Sequence, residues 1–459
     1  MNPRISPHIF RAYDIRGLYN KDLSSSIMFE IGLGFGSYVK EVLNGTEITV
    51  GCDIRQSSMP LVYAFISGVA TTGINAIFAG TTAFGQALFA GWSLKSTAIA
   101  FITASHLPPE WNGIKFYHAD GVGFSEGELM IIRDRTLNKE HTKMGWKDVG
   151  TVINHDITQD YINFFLEKFN FTTKLKVALD CGGGSTALSA PEVFSKLGLE
   201  VVPIYCDPDP TFSGRPSDPK PKNLTKVIET VKAQGCDFGV AFDGDGDRSV
   251  IIDNQGKVLS ADETGIIIGT YGLKQKHGTI IVNVECSKAV KEQLEPLGYN
   301  VKQIPVGHTY LTIEAKQEKS PLGIESSGHI IIPEYFLFDD ALVTPLKVAE
   351  ILNNLESRLS DLVEKIPTYP MKKVEIDCED ELKFDIVEAF KLEAEREFEE
   401  INTMDGVRIE TKEGWILIRP SNTSPIIRMT IEADDREAIE AIQNRFEDKL
   451  KSLIDKASK

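Results

Sequence analysis

Three short loops concentrate the residues able to do chemistry. The first runs Thr103-Ala104-Ser105-His106-Leu107-Pro108-Pro109 and continues through Trp111-Asn112-Gly113-Ile114-Lys115. A serine hydroxyl is a weak nucleophile unless a neighbour takes its proton. Two prolines cannot continue strand or helix pairing, and Asn112-Gly113 signals a turn. Ser105, His106 and Lys115 would therefore gather on one exposed turn. The GxSxG elbow of hydrolases would need glycines where Thr103 and Leu107 stand, so that reading fails. The same residues would equally suit a polar surface loop with an incidental Ser-His pair.

The second loop is Asp243-Gly244-Asp245-Gly246-Asp247-Arg248. Carboxylates at alternate positions, with glycines that let the backbone fold tightly, can converge on one cation. An all-oxygen site suits Mg²⁺ or Ca²⁺. A calcium-binding EF-hand would place Gly and Glu where Arg248 and Asn254 stand, which excludes it. Three carboxylates fall short of the six or so oxygens around Mg²⁺, so a phosphate oxygen and waters would complete the set. An acidic hairpin turn is the plainer alternative.

The third is Arg419-Pro420-Ser421-Asn422-Thr423-Ser424-Pro425. Hydroxyls, an amide, backbone N–H groups and a guanidinium in one turn can hold a dianionic phosphate, or make an ordinary polar loop. Gly323-Ile324-Glu325-Ser326-Ser327-Gly328-His329 adds a carboxylate, two hydroxyls and an imidazole suited to sugar hydroxyls. Near the N-terminus, Arg11 and Arg16 flank Tyr13. Gly32, Gly34 and Gly36 do not make GxGxxG and read as a close-packed helix face, and no P-loop is present.

Short Val-, Ile- and Phe-rich runs must deliver these loops. Strands are predicted at residues 47–50, 98–103, 176–179, 238–242, 279–282 and 330–332, alternating with helical spacing. That alternation predicts repeated α/β units with mostly parallel sheets. The last segment differs. A charged helix over 383–400, strands at 407–410, 415–419 and 426–433, and an amphipathic helix with Ile439, Ile442, Phe446, Leu450 and Leu453 predict an α+β module. Polar stretches place domains at 1–150, 151–255, 256–367 and 368–459, although 459 residues at about 150 per domain suggest about three.

Composition narrows the class. Apolar residues at 42% and charged residues at 25% fit a soluble globular protein. A net charge of -17 argues against a nucleic-acid partner. The apolar runs are too short to cross a membrane, and residues 1–16 hold no long apolar core. Six scattered cysteines without a CxxC are expected to be reduced thiols in a cytoplasmic protein.

Together and in this order, these segments resemble the α-D-phosphohexomutase family, from Phe10 to Arg428. The resemblance implies three related mixed α/β domains and a C-terminal α+β domain around a central cleft. It implies reversible phosphoryl transfer between the 6- and 1-positions of a hexose phosphate, of mannose or glucose, through a phosphoserine and a hexose bisphosphate. Ser105 would carry the phosphoryl group, with His106, Lys115 and Arg248 as catalytic partners. Asp243, Asp245, Asp247 and the Ser105 phosphoryl oxygen would hold Mg²⁺. Glu325, Ser327 and His329 would bind sugar, and Arg419, Ser421, Asn422 and Thr423 would bind phosphate, with Arg16 also in the site. Glucose 1,6-bisphosphate or an equivalent is the expected activator. A phosphoglucosamine mutase and a Mg²⁺-dependent sugar-phosphate phosphohydrolase are the alternatives. The chain departs from the family pattern at Leu107, Ile324 and Glu285, where Asn, Gly and, in some mannomutases, Lys stand.

Overall fold

The computed structural model describes residues 5–379, 382–399, 401–421 and 426–457. Four sheets follow one another along the chain. The first has the strand order Ile15–Leu18, Trp111–His118, Ala98–Ile102, Glu47–Cys52, Asn75–Thr81, Val152–Asn154. The second is Ser249–Asp253, Phe238–Phe242, Lys176–Asp180, Glu200–Ile204, and the third is Tyr299–Ile304, Gly278–Asn283, Gly323–Ile324, Ile330–Ile331. The fourth is Met371–Asp377, Ile426–Ala433, Gly414–Pro420, Val407–Glu410, Ile401–Asn402.

The first three sheets are mixed, not uniformly parallel. Each has a parallel interior and an antiparallel edge. The antiparallel edge arises where a strand turns straight back on itself, without the helical crossover a parallel neighbour requires. Those turns are the loops that hold the reactive side chains. Ala98–Ile102 turns through Ser105 into Trp111–His118, and Phe238–Phe242 turns through the three aspartates into Ser249–Asp253. Gly323–Ile324 turns through Glu325 into Ile330–Ile331, and Gly414–Pro420 turns through Ser421 into Ile426–Ala433. One topological device thus presents a loop from each sheet.

The predicted glycine face is a packing face. In the helix Ser25–Glu41, a Cβ on Gly32 would lie 2.3 Å from the Phe65 carbonyl oxygen of the helix Ser58–Thr71. One apolar core packs under the N-terminal sheet, from Ile31 and Phe65 to Phe116. A second is continuous from Phe89 through Val177 and Val240 to Ile280 and Leu346, which fuses the first three units. The C-terminal sheet has its own core, built on Ile416, Met429 and Phe446 under the terminal helix Arg436–Ala457. A small cluster of Val284, Trp415 and Leu417 joins it to the third unit. Arg408 stacks on Trp415 at 3.9 Å and donates to the Val284 carbonyl oxygen, fixing that joint. All six cysteines are free thiols. Among the described residues, no helix is long and apolar enough to cross a membrane.

Candidate active site

The serine loop is built from behind by a buried arginine. Asp53 and Arg55 follow the strand Glu47–Cys52, and Arg55 Nε lies 2.9 Å from Asp53. The Arg55 guanidinium donates to the carbonyl oxygens of Ser105 at 2.7 Å, Leu107 at 2.7 Å and Pro108 at 2.6 Å. Ser217 donates to the His106 carbonyl oxygen at 2.7 Å. So held, Ser105 takes φ +51°, a left-handed conformation that costs a non-glycine residue about 1 kcal/mol or more. Its hydroxyl donates to Asp243 at 3.3 Å and lies 3.4 Å from His106 Nδ1.

The acidic loop faces it. Asp243, Asp245 and Asp247 are buried, and one carboxylate oxygen of each lies within 4.8 Å of the others. Gly246, at φ +81°, lets its own N–H and that of Arg248 turn onto Asp243, at 3.0 and 3.2 Å. Burial, and then repulsion by Asp247 and Asp245, pushes the Asp243 carboxyl well up. Burial also opposes ionisation of Asp247, but Lys115, His329 and Arg248 hold it down. Lys115 Nζ lies 2.5 Å from Asp247 and 3.3 Å from Asp245. Arg248 Nε lies 3.1 Å from Asp243. Asp245 Oδ1 and Asp247 Oδ1 are buried with no hydrogen-bond partner. Three converging carboxylates with orphaned oxygens fit a hard divalent cation.

The sugar-loop candidates approach from the other side. Ser327 donates to Glu325 Oε1 at 2.6 Å, leaving buried Glu325 Oε2 without a partner. Arg248 Nη1 donates to the Ser327 carbonyl oxygen at 3.2 Å, and Arg248 Nη2 is orphaned too. His329 Nδ1 lies 2.8 Å from Asp339. Burial would lower the His329 imidazole, but Asp247 and Asp339 outweigh it and lift the group to about 9. His106 is the opposite case. Burial, then the cations Arg248 and Arg16, push it down to about 2, which leaves a neutral imidazole beside the serine.

The remaining expected residues are placed unevenly. Arg16 lies on the edge strand Ile15–Leu18 opposite Gly113, paired with Asp14 at 2.6 Å and within the field of Asp245 and Asp247. Arg419 lies 3.3 Å from Asp405 and 3.2 Å from Glu285. Ser421 is buried at the start of its turn. Asn422 and Thr423 lie outside the described residues.

Sequence reasoning passed over Asp53, Arg55, His308 and Asp339. A signal existed for the first two. Asp53-Ile54-Arg55 repeats Asp14-Ile15-Arg16, and in both copies the arginine Nε pairs with the aspartate. His308 carried none. It stacks on His329 with ring centroids 5.2 Å apart, and its Nε2 lies 2.9 Å from the Tyr117 hydroxyl.

Serine and carboxylate triad on hairpin turns of two neighbouring sheets, with Lys115 and Arg248 facing them, define a multidomain α/β protein built to handle an anionic group beside a divalent cation. Comparison with known proteins gives the family. Residues 7–143, 159–256 and 260–369 match the models for α/β/α domains I, II and III of phosphoglucomutase/phosphomannomutase, and 378–449 matches the C-terminal domain model. The chain belongs to the phosphoglucomutase/phosphomannomutase family. It is 32% identical to a probable phosphoglucosamine mutase of Methanothermobacter thermautotrophicus, covering 98% of this chain and 99% of that one. It is 32% identical to a phosphomannomutase/phosphoglucomutase of Pseudomonas putida, covering 96% and 95%. A crystal structure of a family protein from Burkholderia thailandensis superposes with a TM-score of 0.90 at 28% identity, covering 98% of both chains.

Proposed function

We propose that this protein is a phosphohexomutase that moves a phosphoryl group between the 6- and 1-positions of glucose and mannose phosphates, with Ser105 as the phosphoryl carrier. The observation that carries this reading is the Ser105 hydroxyl, held in a left-handed turn 3.3 Å from Asp243 and facing a triad with two orphaned oxygens. Relatives named phosphomannomutase/phosphoglucomutase support it.

Starting from phosphorylated Ser105, the bond from phosphorus to Oγ breaks as a bond forms to the free sugar hydroxyl, whose proton leaves to a base. The product is a hexose bisphosphate. Its other phosphate then returns to Ser105, which releases the isomeric monophosphate. Asp243, Asp245, Asp247 and an oxygen of the Ser105 phosphoryl group would hold Mg²⁺, which would supply charge stabilisation at the transferring oxygens. Arg248 would add a guanidinium at the same place, its Nη2 making no hydrogen bond. Lys115, gripped by Asp245 and Asp247, would act as a fixed cation and proton donor. His106, the imidazole nearest the Ser105 hydroxyl, would stand beside the transferring oxygen as a neutral hydrogen-bond partner and proton acceptor. Glu325, Ser327 and His329 would hold sugar hydroxyls, while Arg16, Arg419, Ser421, Asn422 and Thr423 would grip the idle phosphate. Glucose 1,6-bisphosphate would prime the unphosphorylated enzyme.

A coupled assay with glucose 1-phosphate, mannose 1-phosphate and a trace of glucose 1,6-bisphosphate tests the reading. Isomerisation to the 6-phosphate is expected in the wild type and none in Ser105→Ala. Release of inorganic phosphate in place of isomerisation would make the protein a phosphohydrolase.

A further inference from the structure

The phosphate grip of the C-terminal domain is aimed at a carboxylate. Glu285 follows the strand Gly278–Asn283 of the third sheet and is 7% exposed. Its Oε2 lies 3.0 Å from Lys373 Nζ, and its Oε1 lies 3.2 Å from Arg419 Nε. The Ser326 hydroxyl, between Glu325 and Ser327 on the sugar loop, donates to Glu285 Oε2 at 3.4 Å. One buried acid therefore touches both the loop placed on the sugar and the guanidinium placed on the phosphate. Burial opposes its ionisation, yet Lys373 and Arg419 hold its titration below the ordinary range. It is an anion inside a cleft built for a dianion.

That placement has an electrostatic consequence when substrate arrives. A phosphate that engages Arg419 shares the cation that now neutralises Glu285. The carboxylate is then left beside a second anion, with Lys373 still paired to it. A neutral hexose phosphate offers nothing to offset this. A hexose phosphate carrying an ammonium group supplies the missing charge from within the ligand, next to the loop that holds its ring.

We infer that Glu285 is a specificity-determining residue that recognises an ammonium group, so that the cleft takes amino-hexose monophosphates in preference to neutral ones. This rests on the phosphohexomutase reading and extends its substrate class. The competing role is a clamp that merely orients Arg419. The two differ in what they predict. Loss of a clamp weakens every sugar phosphate alike, whereas loss of an ammonium partner weakens only the amino sugar.

The experiment measures kcat/KM for glucosamine 6-phosphate and glucose 6-phosphate on the full-length wild type, Glu285→Gln, Glu285→Asp and Glu285→Lys. The wild type is expected to favour the amino sugar by about tenfold or more, a ratio that E285Q collapses towards one, E285D largely retains and E285K inverts. A wild type that treats both sugars equally, or an E285Q that lowers both by one factor, would overturn the assignment. The wild-type ratio is decisive even if a variant fails to fold. A wild type that isomerises neither sugar phosphate would instead overturn the mutase reading beneath it.

Discussion

The Arg55 guanidinium holds the Ser105 carbonyl oxygen at 2.7 Å, from a position 1% exposed and behind the loop. The strained serine is therefore held in place by a side chain that does not itself face the cleft. Lysine at 55 keeps the charge but loses the fork that reaches four carbonyl oxygens at once. Arg55→Lys is expected to lower kcat by about tenfold or more through misplacement of Ser105. It is expected to lower folding stability by about 2 kcal/mol, since buried carbonyl oxygens and Asp53 lose partners. Steady-state kinetics beside a thermal melt check both, and unchanged kcat would show that the loop holds its shape without Arg55.

The carboxylate triad predicts a stability response independent of turnover. Three buried acids with two orphaned oxygens are strained without a cation. Added Mg²⁺ at a hundred times its dissociation constant is expected to stabilise the fold by about 2.7 kcal/mol. Asp245→Asn removes one charge from the set, so its melting temperature is expected to respond much less to Mg²⁺. Chelation is expected to remove activity while the fold persists. Equal Mg²⁺ responses in the two proteins would place the cation elsewhere.

Asp340 gives a pH dependence with a definite sign. It is buried, accepts the Tyr161 hydroxyl at 2.9 Å and the Leu342 N–H at 2.9 Å, and burial lifts its carboxyl to about 6. A carboxyl raised above its unfolded value of 3.8 favours the fold in its protonated form. Its contribution is complete below about pH 4 and is lost as pH rises through about 6, a difference of about 3 kcal/mol. Asp340→Asn keeps the shape and cannot ionise. The variant is expected to match the wild type near pH 4 and to exceed it near pH 8, as read by urea unfolding. A gap that stays constant between those values would contradict the assignment.

Gly113 predicts a local failure. A Cβ there would lie 2.1 Å from the Ile15 carbonyl oxygen, across the pairing that sets Arg16 opposite Gly113. Gly113→Ala is expected to push the edge strand Ile15–Leu18 away and take Arg16 out of the site. The expected cost is about 1–3 kcal/mol of stability, with a higher KM for substrate. Kinetics and a melt of this one variant suffice, and a wild-type KM would show that Arg16 does not bind the substrate.

The reactive loops were legible because their residue types are uncommon together. Asp243-Gly244-Asp245-Gly246-Asp247 needs its glycines for the turn and its acids for the cation, and both needs show in the letters. Strand interiors such as residues 238–242 read correctly, being short apolar runs bounded by turns. The antiparallel edges did not read, because pairing direction depends on where a chain goes after its turn and not on strand composition. Arg55 and His308 were missed for a related reason. They act across folds of the chain, so their partners are distant in sequence, and only the repeated Asp-Ile-Arg marks Arg55. The ion pair of Arg419 with Glu285 joins residues from two sheets, which no local pattern reports.

Ser105 as phosphoryl carrier is tested most directly by transfer of label. The protein is incubated with glucose 1,6-bisphosphate carrying radioactive phosphate, quenched, digested and mapped by mass spectrometry. The account predicts label on Ser105 in the wild type, its discharge on addition of glucose 6-phosphate with return of label to the sugar, and none in Ser105→Ala. Label on another residue, or discharge to inorganic phosphate at the rate of turnover, would contradict it.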